Sequence, residues 1–410
     1  MKVAVLMSRF PYPPDRGDRL TVYNLLKLFS TRHEVTLLSL TDGTEAPEAL
    51  ARVAEVCARV ETARLSRVRS WLQAWLGIVR LEPSQNSYYH SKAMHALVRR
   101  TLEAERFDVV FTHGYRMAPY AIPLRQTGKL MYLGDSAGIM YRQEIRVAPW
   151  WKKPGLAWEV WRVERYEVLS SRHFVENWAL SEVDQRDLTR LGCHNVVLVP
   201  HGLDERLYEV VRELPAEPRI MFLGNLGVPH NVDSAVFIAR EVWPRVRARR
   251  PDARLVLAGA GPTPEVRKLA DLPGVEVTGP VPDLRTLWKT AHVMLAPLRF
   301  SAGIQNKLLE AMAAGVPVVT TPGAAAAIGA RPGEHALVSE SADGLAEAVI
   351  RILDDRSAAE AMARAAREHV RRNYDWATIL QRLEHVGRLA ASPPTATSSG
   401  TSGSAVPAKA

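Results

Sequence analysis

Cysteine is nearly absent from this chain. Its 410 residues include two, Cys57 and Cys193. Two are too few for a disulfide framework, and neither has neighbours at metal-ligand spacing, so disulfide scaffolds and zinc modules are excluded and a reducing compartment is expected. Long clean apolar runs are missing too. The longest uncharged stretch, residues 311–330, is broken by Gly315, Pro317, Pro322, Gly323 and Gly329, which a lipid-spanning helix does not readily tolerate. The apolar run after Met1-Lys2 is only Val3-Ala4-Val5-Leu6-Met7 and meets Arg9 at once; it is too short for a leader and reads as a first strand. That strand is not followed by Gly-x-Gly-x-x-Gly. Leu257-Ala258-Gly259-Ala260-Gly261-Pro262 is a partial echo spoiled by Pro262 and Pro264, so a nicotinamide-dependent dehydrogenase is set aside. There is no Cys/His finger and no aromatic RNA-binding pattern, and the arginines are spread over many helices, so nucleic acid is not an expected partner. Acidic residues are the minority, 44 against 53 Lys and Arg for a net charge of +9. The expected partner is therefore anionic, either a lipid surface or a phosphorylated substrate.

What is present is ordinary globular composition, 47% hydrophobic and 24% charged, in a chain long enough for two or three domains. Strand-length apolar runs at 3–7, 35–40, 109–112, 130–133 and 196–199 alternate with helical stretches such as 20–29 and 90–105. After a Pro- and charge-rich connection at 209–218 the pattern restarts at 220–223, 255–258, 275–278, 293–296 and 318–320. This alternation predicts α/β architecture with two parallel sheets, two Rossmann-like domains facing each other across a cleft. Ligands in such sheets bind beyond the carboxyl ends of the strands. No repeat of 20 to 50 residues is visible. Residues 391–410 are Ser/Thr/Pro/Ala/Gly-rich with the single charge Lys409, and are expected to be disordered.

The most informative segment runs Leu298-Arg299-Phe300-Ser301-Ala302-Gly303-Ile304-Gln305-Asn306-Lys307-Leu308-Leu309-Glu310-Ala311-Met312-Ala313-Ala314-Gly315-Val316-Pro317-Val318-Val319-Thr320. It reads as a strand exit, a glycine loop, a short helix, a glycine stop and another strand. Free N–H groups at Gly303, Ile304, Gln305 and Asn306 would open the helix, and an open helix N-terminus attracts phosphate. Lys307 adds a point charge there. The alternative is an exposed i, i+3 ion pair between Lys307 and Glu310, worth a few tenths of a kcal/mol.

This segment resembles glycosyltransferase family 4, the retaining group 1 transferases, whose signature ends in Glu-Ala-Met-Ala-x-Gly-x-Pro-Val-Val. Gly303-Ile304-Gln305-Asn306-Lys307 is similar, more narrowly, to a subgroup associated with exopolysaccharide and exosortase systems. The opening Arg9-Phe10-Pro11-Tyr12-Pro13-Pro14-Asp15-Arg16-Gly17-Asp18-Arg19 resembles that subgroup's first loop, and the likeness covers most of residues 1–390. The resemblance implies a GT-B fold. Residues 1–205 would bind acceptor and residues 206–374 the donor, with a closing helix, 375–390, returning to the first domain. The implied reaction moves a sugar from a nucleoside diphosphate sugar to a glycan or lipid-linked acceptor with retention, needing neither metal nor cofactor, in the cytoplasm or on the inner face of the membrane. A non-catalytic sugar-nucleotide or glycan-binding partner of a polysaccharide complex is the alternative.

By the same resemblance Glu310 holds the donor ribose, the amides of Gly303, Ile304 and Gln305 meet sugar and diphosphate, and the backbone of Val281 reads the base edge. Gly224, Asn225 and Asn306 complete the donor side. Gly17, Asp18 and Arg19 approach from the other domain, although Gly17 also suits a plain turn and Asp18 a helix cap. His113 and Asp135 end strands and so face the cleft as catalytic candidates, though His113-Gly114 also suits a simple turn. Two departures stand out. Ala302 occupies a position eight before the glutamate where the family usually has an acid, and Gly224-Asn225-Leu226-Gly227-Val228-Pro229-His230 lacks the family's Arg and Lys. Arg299 and Lys307 are then the expected phosphate charges. Finally, residues 64–80 carry Leu65, Val68, Leu72, Trp75, Leu76 and Val79 on one helical stripe beside Arg67, Arg69 and Arg80, with Trp150, Trp151, Trp158 and Trp161 further on. A core-facing helix is the expected reading; the alternative is a membrane-interface helix.

Overall fold

The computed structural model describes residues 1–14, 17–79, 81–125, 128–200, 202–299 and 304–391. Gly303 and residues 392–410 lie outside the described residues, as do Arg16, Arg80 and Ala302.

Two parallel sheets form. The first comprises β1 (Lys2–Met7), β2 (Glu34–Thr41), β3 (Arg59–Arg64), β4 (Val109–His113), β5 (Lys129–Gly134), β6 (Glu176–Ala179) and β7 (Val196–Leu198), in the order β3-β2-β1-β4-β5-β6-β7. The second comprises β8 (Arg219–Leu223), β9 (Arg254–Ala258), β10 (Val275–Gly279), β11 (Val293–Ala296), β12 (Val318–Thr320) and β13 (Leu337–Val338), in the order β10-β9-β8-β11-β12-β13. The first sheet is buried on both faces, which is why its central strands read as unbroken apolar runs. Successive side chains alternate between faces: Val3, Val5 and Met7 pack in one core and Ala4 and Leu6 in the other. In β5 likewise, Leu130 and Tyr132 join the first core and Met131 and Leu133 the second. A one-residue slip against β2, where Val3 pairs with Val35 and Val5 with Leu37, would exchange these sets, so the register is strongly specified.

Three strands escape sequence reading. β3, Arg-Val-Glu-Thr-Ala-Arg, is an edge strand with one buried side chain, Ala63. β6 contains buried Glu176 and Asn177, and β13 has only two residues. Glu176 is tolerable inside because it accepts from the Trp178 indole N–H at 2.9 Å and pairs with Arg382 at 3.0 Å. Arg382 lies on the helix Trp376–Ala391, whose Ile379, Leu380, Leu383 and Val386 sit in the first sheet's core. The connection between the sheets is pinned rather than loose: the Arg212 guanidinium donates to the carbonyls of Gly315 at 3.0 Å and Ala291 at 2.9 Å.

In each sheet the strand order reverses once, between β1 and β4 and between β8 and β11. Crevices at such reversals are where ligands bind. The loops after β1 and β4 and those after β8 and β11 are therefore the segments that can build a site.

The stripe in residues 64–80 departs from the core-facing expectation at its described N-terminal half. The helix Arg67–Val79 exposes Val68, Trp71 and Leu72. Leu65, ahead of it, packs against a core cluster, and the side chains of Trp75, Leu76 and Val79 lie outside the described residues.

Candidate functional site

A cavity of about 760 Å³ opens between the two sheets' domains. Its walls are Leu20, Thr21 and Asn24 of the helix Gly17–Ser30, the crossover Gly202-Leu203-Asp204, the loop residues Pro282 and Asp283, and Asn306 and Glu310 of the helix Asn306–Ala313, with Trp376 closing one side. The wall is tightly fitted at Gly202. A Cβ there would stand 2.4 Å from the Trp376 ring, whose indole N–H donates to the Leu203 carbonyl at 2.8 Å.

The helix Asn306–Ala313 supplies the chemistry. No side chain caps its N-terminus, which leaves first-turn N–H groups for an anion. Lys307 is half-buried. Its ammonium donates to Asn231 Oδ1 and stands 5.3 Å from the centroid of the Phe222 ring. Burial lowers its pKa to about 8, with Glu310 opposing. Among the described residues no carboxylate lies within ion-pair distance of Lys307. A partly desolvated cation whose partner among the described residues is a neutral amide is a poor resting state and a good anion receptor. One turn on, Glu310 faces the cavity; burial raises its pKa to about 7, with Lys307 opposing and Asp204 adding to the rise. The two do not form the exposed surface pair that was the alternative reading.

Asn231 was not singled out in the sequence. It lies in the helix Pro229–Phe237, and its side-chain amide donates to the Asn225 carbonyl at 3.1 Å while its carbonyl oxygen takes the Lys307 ammonium. Next to it, His230 has its pKa lowered to about 4 by burial and then by Lys307, so it stays neutral at physiological pH. Gly224 and Asn225 shape this corner. The Gly224 N–H donates to the Ala258 carbonyl at 3.0 Å, and Asn225 Oδ1 accepts the Gly227 N–H at 3.0 Å. A Cβ on Gly224 would stand 2.7 Å from Asn231. Opposite, Gly259 has φ +139°, and a Cβ on it would meet the Gly224 carbonyl oxygen at 1.7 Å. Gly259→Ala should therefore lower stability by at least about 1 kcal/mol and loosen the Lys307 corner. Denaturant unfolding checks this, and an unchanged midpoint would mean that the backbone there is free to move.

The first domain contributes Asp135 and His113. Asp135 follows β5, is open to the cleft, and accepts the Ile304 N–H from the opposite domain. The protein packed around it raises its pKa to about 7, Asp184 adds to the rise, and the Ile304 N–H opposes it. Asp184 is itself held by the Ser136 N–H at 2.8 Å and by Ser181. His113, the last residue of β4, is buried with its ring stacked on Tyr132, centroids 5.3 Å apart.

Other expected residues separate from this group. Arg299 is on the outer side of the helix Pro229–Phe237, where it pairs with Asp233, its Nε 3.0 Å from Oδ2, and lies 4.5 Å over the Phe237 ring. It lines a second hollow with Val232 and Arg240, not the cavity that holds Glu310. Its charge is already met by Asp233, and the structure places Lys307 and Arg299 apart although their neighbouring positions suggest one ligand. The Val281 side chain packs on the second domain's core while its neighbours Pro282 and Asp283 reach the cavity. Gly17 opens the helix Gly17–Ser30, Arg19 is half-buried in its first turn, and the Asp18 side chain lies outside the described residues. Gln305 is buried at the helix entrance.

Among the described residues no helix is long and apolar enough to cross a membrane. Residues 217–355 match the family model "Glycosyl transferases group 1". A glycogen synthase of Mycobacterium tuberculosis is 26% identical over 305 residues, covering 70% of this chain and 71% of that protein. A phosphatidyl-myo-inositol mannosyltransferase of Mycolicibacterium smegmatis is 31% identical over 219 residues, 51% of this chain and 55% of that one. Among solved structures, HepE of Anabaena in complex with UDP superposes with a TM-score of 0.68 at 16% identity, covering 95% of this chain and 100% of that one.

Proposed function

Since this chain is a group 1 glycosyltransferase with the GT-B fold, we propose that it transfers a sugar, with retention, from a nucleoside diphosphate sugar to a glycan or lipid-linked acceptor in exopolysaccharide or cell-envelope synthesis. The observation that carries the reading is Lys307: a half-buried cation at an uncapped helix N-terminus, its ammonium on the Asn231 amide, with Glu310 one turn away at the edge of the interdomain cavity. The diphosphate sits against Lys307 and the helix N–H groups, which stabilise the charge that leaves with it. Glu310 accepts from the ribose hydroxyls. Asp135, across the cleft beside Ile304, faces the reacting sugar.

No described side chain is placed as a nucleophile on the donor side, and the family's usual acidic position is Ala302. Front-face departure of the diphosphate, with a donor phosphate oxygen taking the acceptor proton, is therefore the proposed course. The acceptor's new C–O bond forms as the bond between the anomeric carbon and phosphate oxygen breaks, without a covalent enzyme intermediate. The lipid-linked acceptor draws on the mannosyltransferase likeness and on the basic surface of the first domain.

Calorimetric titration with UDP and GDP tests the donor site. At least one should bind, and Glu310→Ala should weaken it by about 1.5 kcal/mol, roughly tenfold, with Glu310→Gln milder. Binding of neither nucleotide would remove the reading. Affinity unchanged in both variants would take Glu310 out of the site.

A further inference from the structure

The first domain carries an exposed aromatic and basic face that the donor cleft does not use. Trp71, 67% exposed, stands on the helix Arg67–Val79 with Val68 and Leu72. Trp150 and Trp151, 82% and 63% exposed, precede the helix Lys153–Ser171, which adds the stacked pair Trp158 and Trp161 with centroids 5.0 Å apart. The two helices belong to one packed unit. Arg162, buried on the second helix, donates to the Glu82 carbonyl at 2.9 Å and to the Gly77 carbonyl at 3.4 Å, and Glu159 accepts from the Ser84 hydroxyl at 2.9 Å. These buried polar contacts hold the helices together and leave the tryptophans outside.

Within the two segments that carry the most exposed tryptophans the charge has one sign. The helix Arg67–Val79 contains Arg67 and Arg69 and no acid, and residues 145–158 contain Arg146, Lys152 and Lys153 and no acid. Lys152 and Arg165 lie over the Trp151 and Trp161 rings at 4.9 and 5.5 Å. Tryptophan with lysine and arginine is the combination that settles at the headgroup level of a bilayer, rings toward the acyl boundary and cations on anionic headgroups. A face for a protein partner would be depleted of lysine at its centre, whereas here Lys152 and Lys153 adjoin the two most exposed tryptophans.

The face is also joined to the cleft. Asp135 and its neighbour Ser136 lead into the helix Ala137–Val147, capped by Ser136, and that helix ends next to Trp150. Eleven residues span about 16 Å, so a membrane against Trp150 and Trp151 would hold its headgroups within a short reach of Asp135.

We infer that Val68, Trp71, Leu72, Trp150 and Trp151, with Arg69, Lys152 and Lys153, form a docking surface for an anionic lipid bilayer, which presents the acceptor to the cleft. This rests on the lipid-linked-acceptor reading. Co-sedimentation with vesicles of phosphatidylcholine alone, and of phosphatidylcholine with equimolar phosphatidylglycerol, tests it on the full chain. Binding is expected to the mixed vesicles, weak or none to phosphatidylcholine, and to fall with added salt. Trp150→Ser with Trp151→Ser should lower the partition coefficient by roughly tenfold or more, and Lys152→Gln with Lys153→Gln by about fivefold per charge. All of these positions are exposed, so the variants should keep the unmodified chain's affinity for nucleoside diphosphate. A chain that binds diphosphate but ignores both vesicles overturns the surface and leaves the transferase; one that binds vesicles but no nucleotide does the reverse. Equal vesicle binding by the variants, or self-association without lipid that the tryptophan variants abolish, would also overturn the assignment, the latter by making a second copy the occupant.

Discussion

Lys307→Met should weaken binding of the nucleoside diphosphate by about 1.5 to 3 kcal/mol, roughly ten- to a hundredfold or slightly more, while leaving affinity for the free nucleoside nearly unchanged. The reason is that, among the described residues, the Lys307 ammonium meets a neutral amide and no carboxylate within ion-pair distance. Arg299, only eight positions earlier, spends its guanidinium on Asp233, so Arg299→Met should change both affinities little. The contrast between the two variants is the test, since sequence position alone gives them equal standing. Acidity adds a second signature. With the Lys307 pKa lowered to about 8, the free protein loses this charge as pH rises through about 8, and diphosphate affinity should fall over that window. Bound phosphate favours the charged form, so binding near pH 8 should take up protons. Calorimetry in buffers of different ionisation enthalpy reads that uptake. An equal loss for nucleoside and diphosphate in Lys307→Met would make the residue a support of the Asn231 corner instead.

The fold was largely legible in the sequence because central parallel strands, buried on both faces, cannot hide: Val3-Ala4-Val5-Leu6-Met7 and Val293-Met294-Leu295-Ala296 are apolar at every position. β3 and β6 were not legible, because an edge strand has no burial to impose a pattern and the acid of β6 is compensated by Arg382, some two hundred residues on. The site divides in the same way. Gly303-Ile304-Gln305-Asn306-Lys307 announces a helix entrance locally, so Lys307 and Glu310 could be found. The partner of Lys307 could not, since Asn231 lies 76 residues earlier and is brought in by β8 and β11 pairing. The exposed stripe of Arg67–Val79 shows a third limit. A helical period of 3.6 says that one face is apolar, but whether protein or something else covers that face depends on the neighbouring elements.

Asp135→Asn should lower the transfer rate by about 10² or more with only a modest change in donor affinity. Its carboxylate enters the cleft from the first domain and takes the Ile304 N–H of the donor loop, so it meets the reacting centre only when the two halves face each other. Asn keeps the shape and can still accept the Ile304 N–H through its carbonyl oxygen. In the proposed reaction, what it removes is the negative charge beside the oxocarbenium-like carbon and a charged hydrogen-bond acceptor for a sugar hydroxyl, while the acceptor's proton still goes to the donor phosphate. Asp135 has its pKa raised to about 7, and the active form in this role is the ionised one. Turnover of the unmodified chain should therefore climb as pH rises through about 7, and the variant should show a flat profile across the same range. The charge of Asp184 contributes to the elevated value, and Asp184→Asn should move the rise to lower pH while the plateau stays. A variant as active as the unmodified chain, or an unmodified profile already flat from pH 5 to 8, would assign Asp135 to holding the Ile304 loop alone.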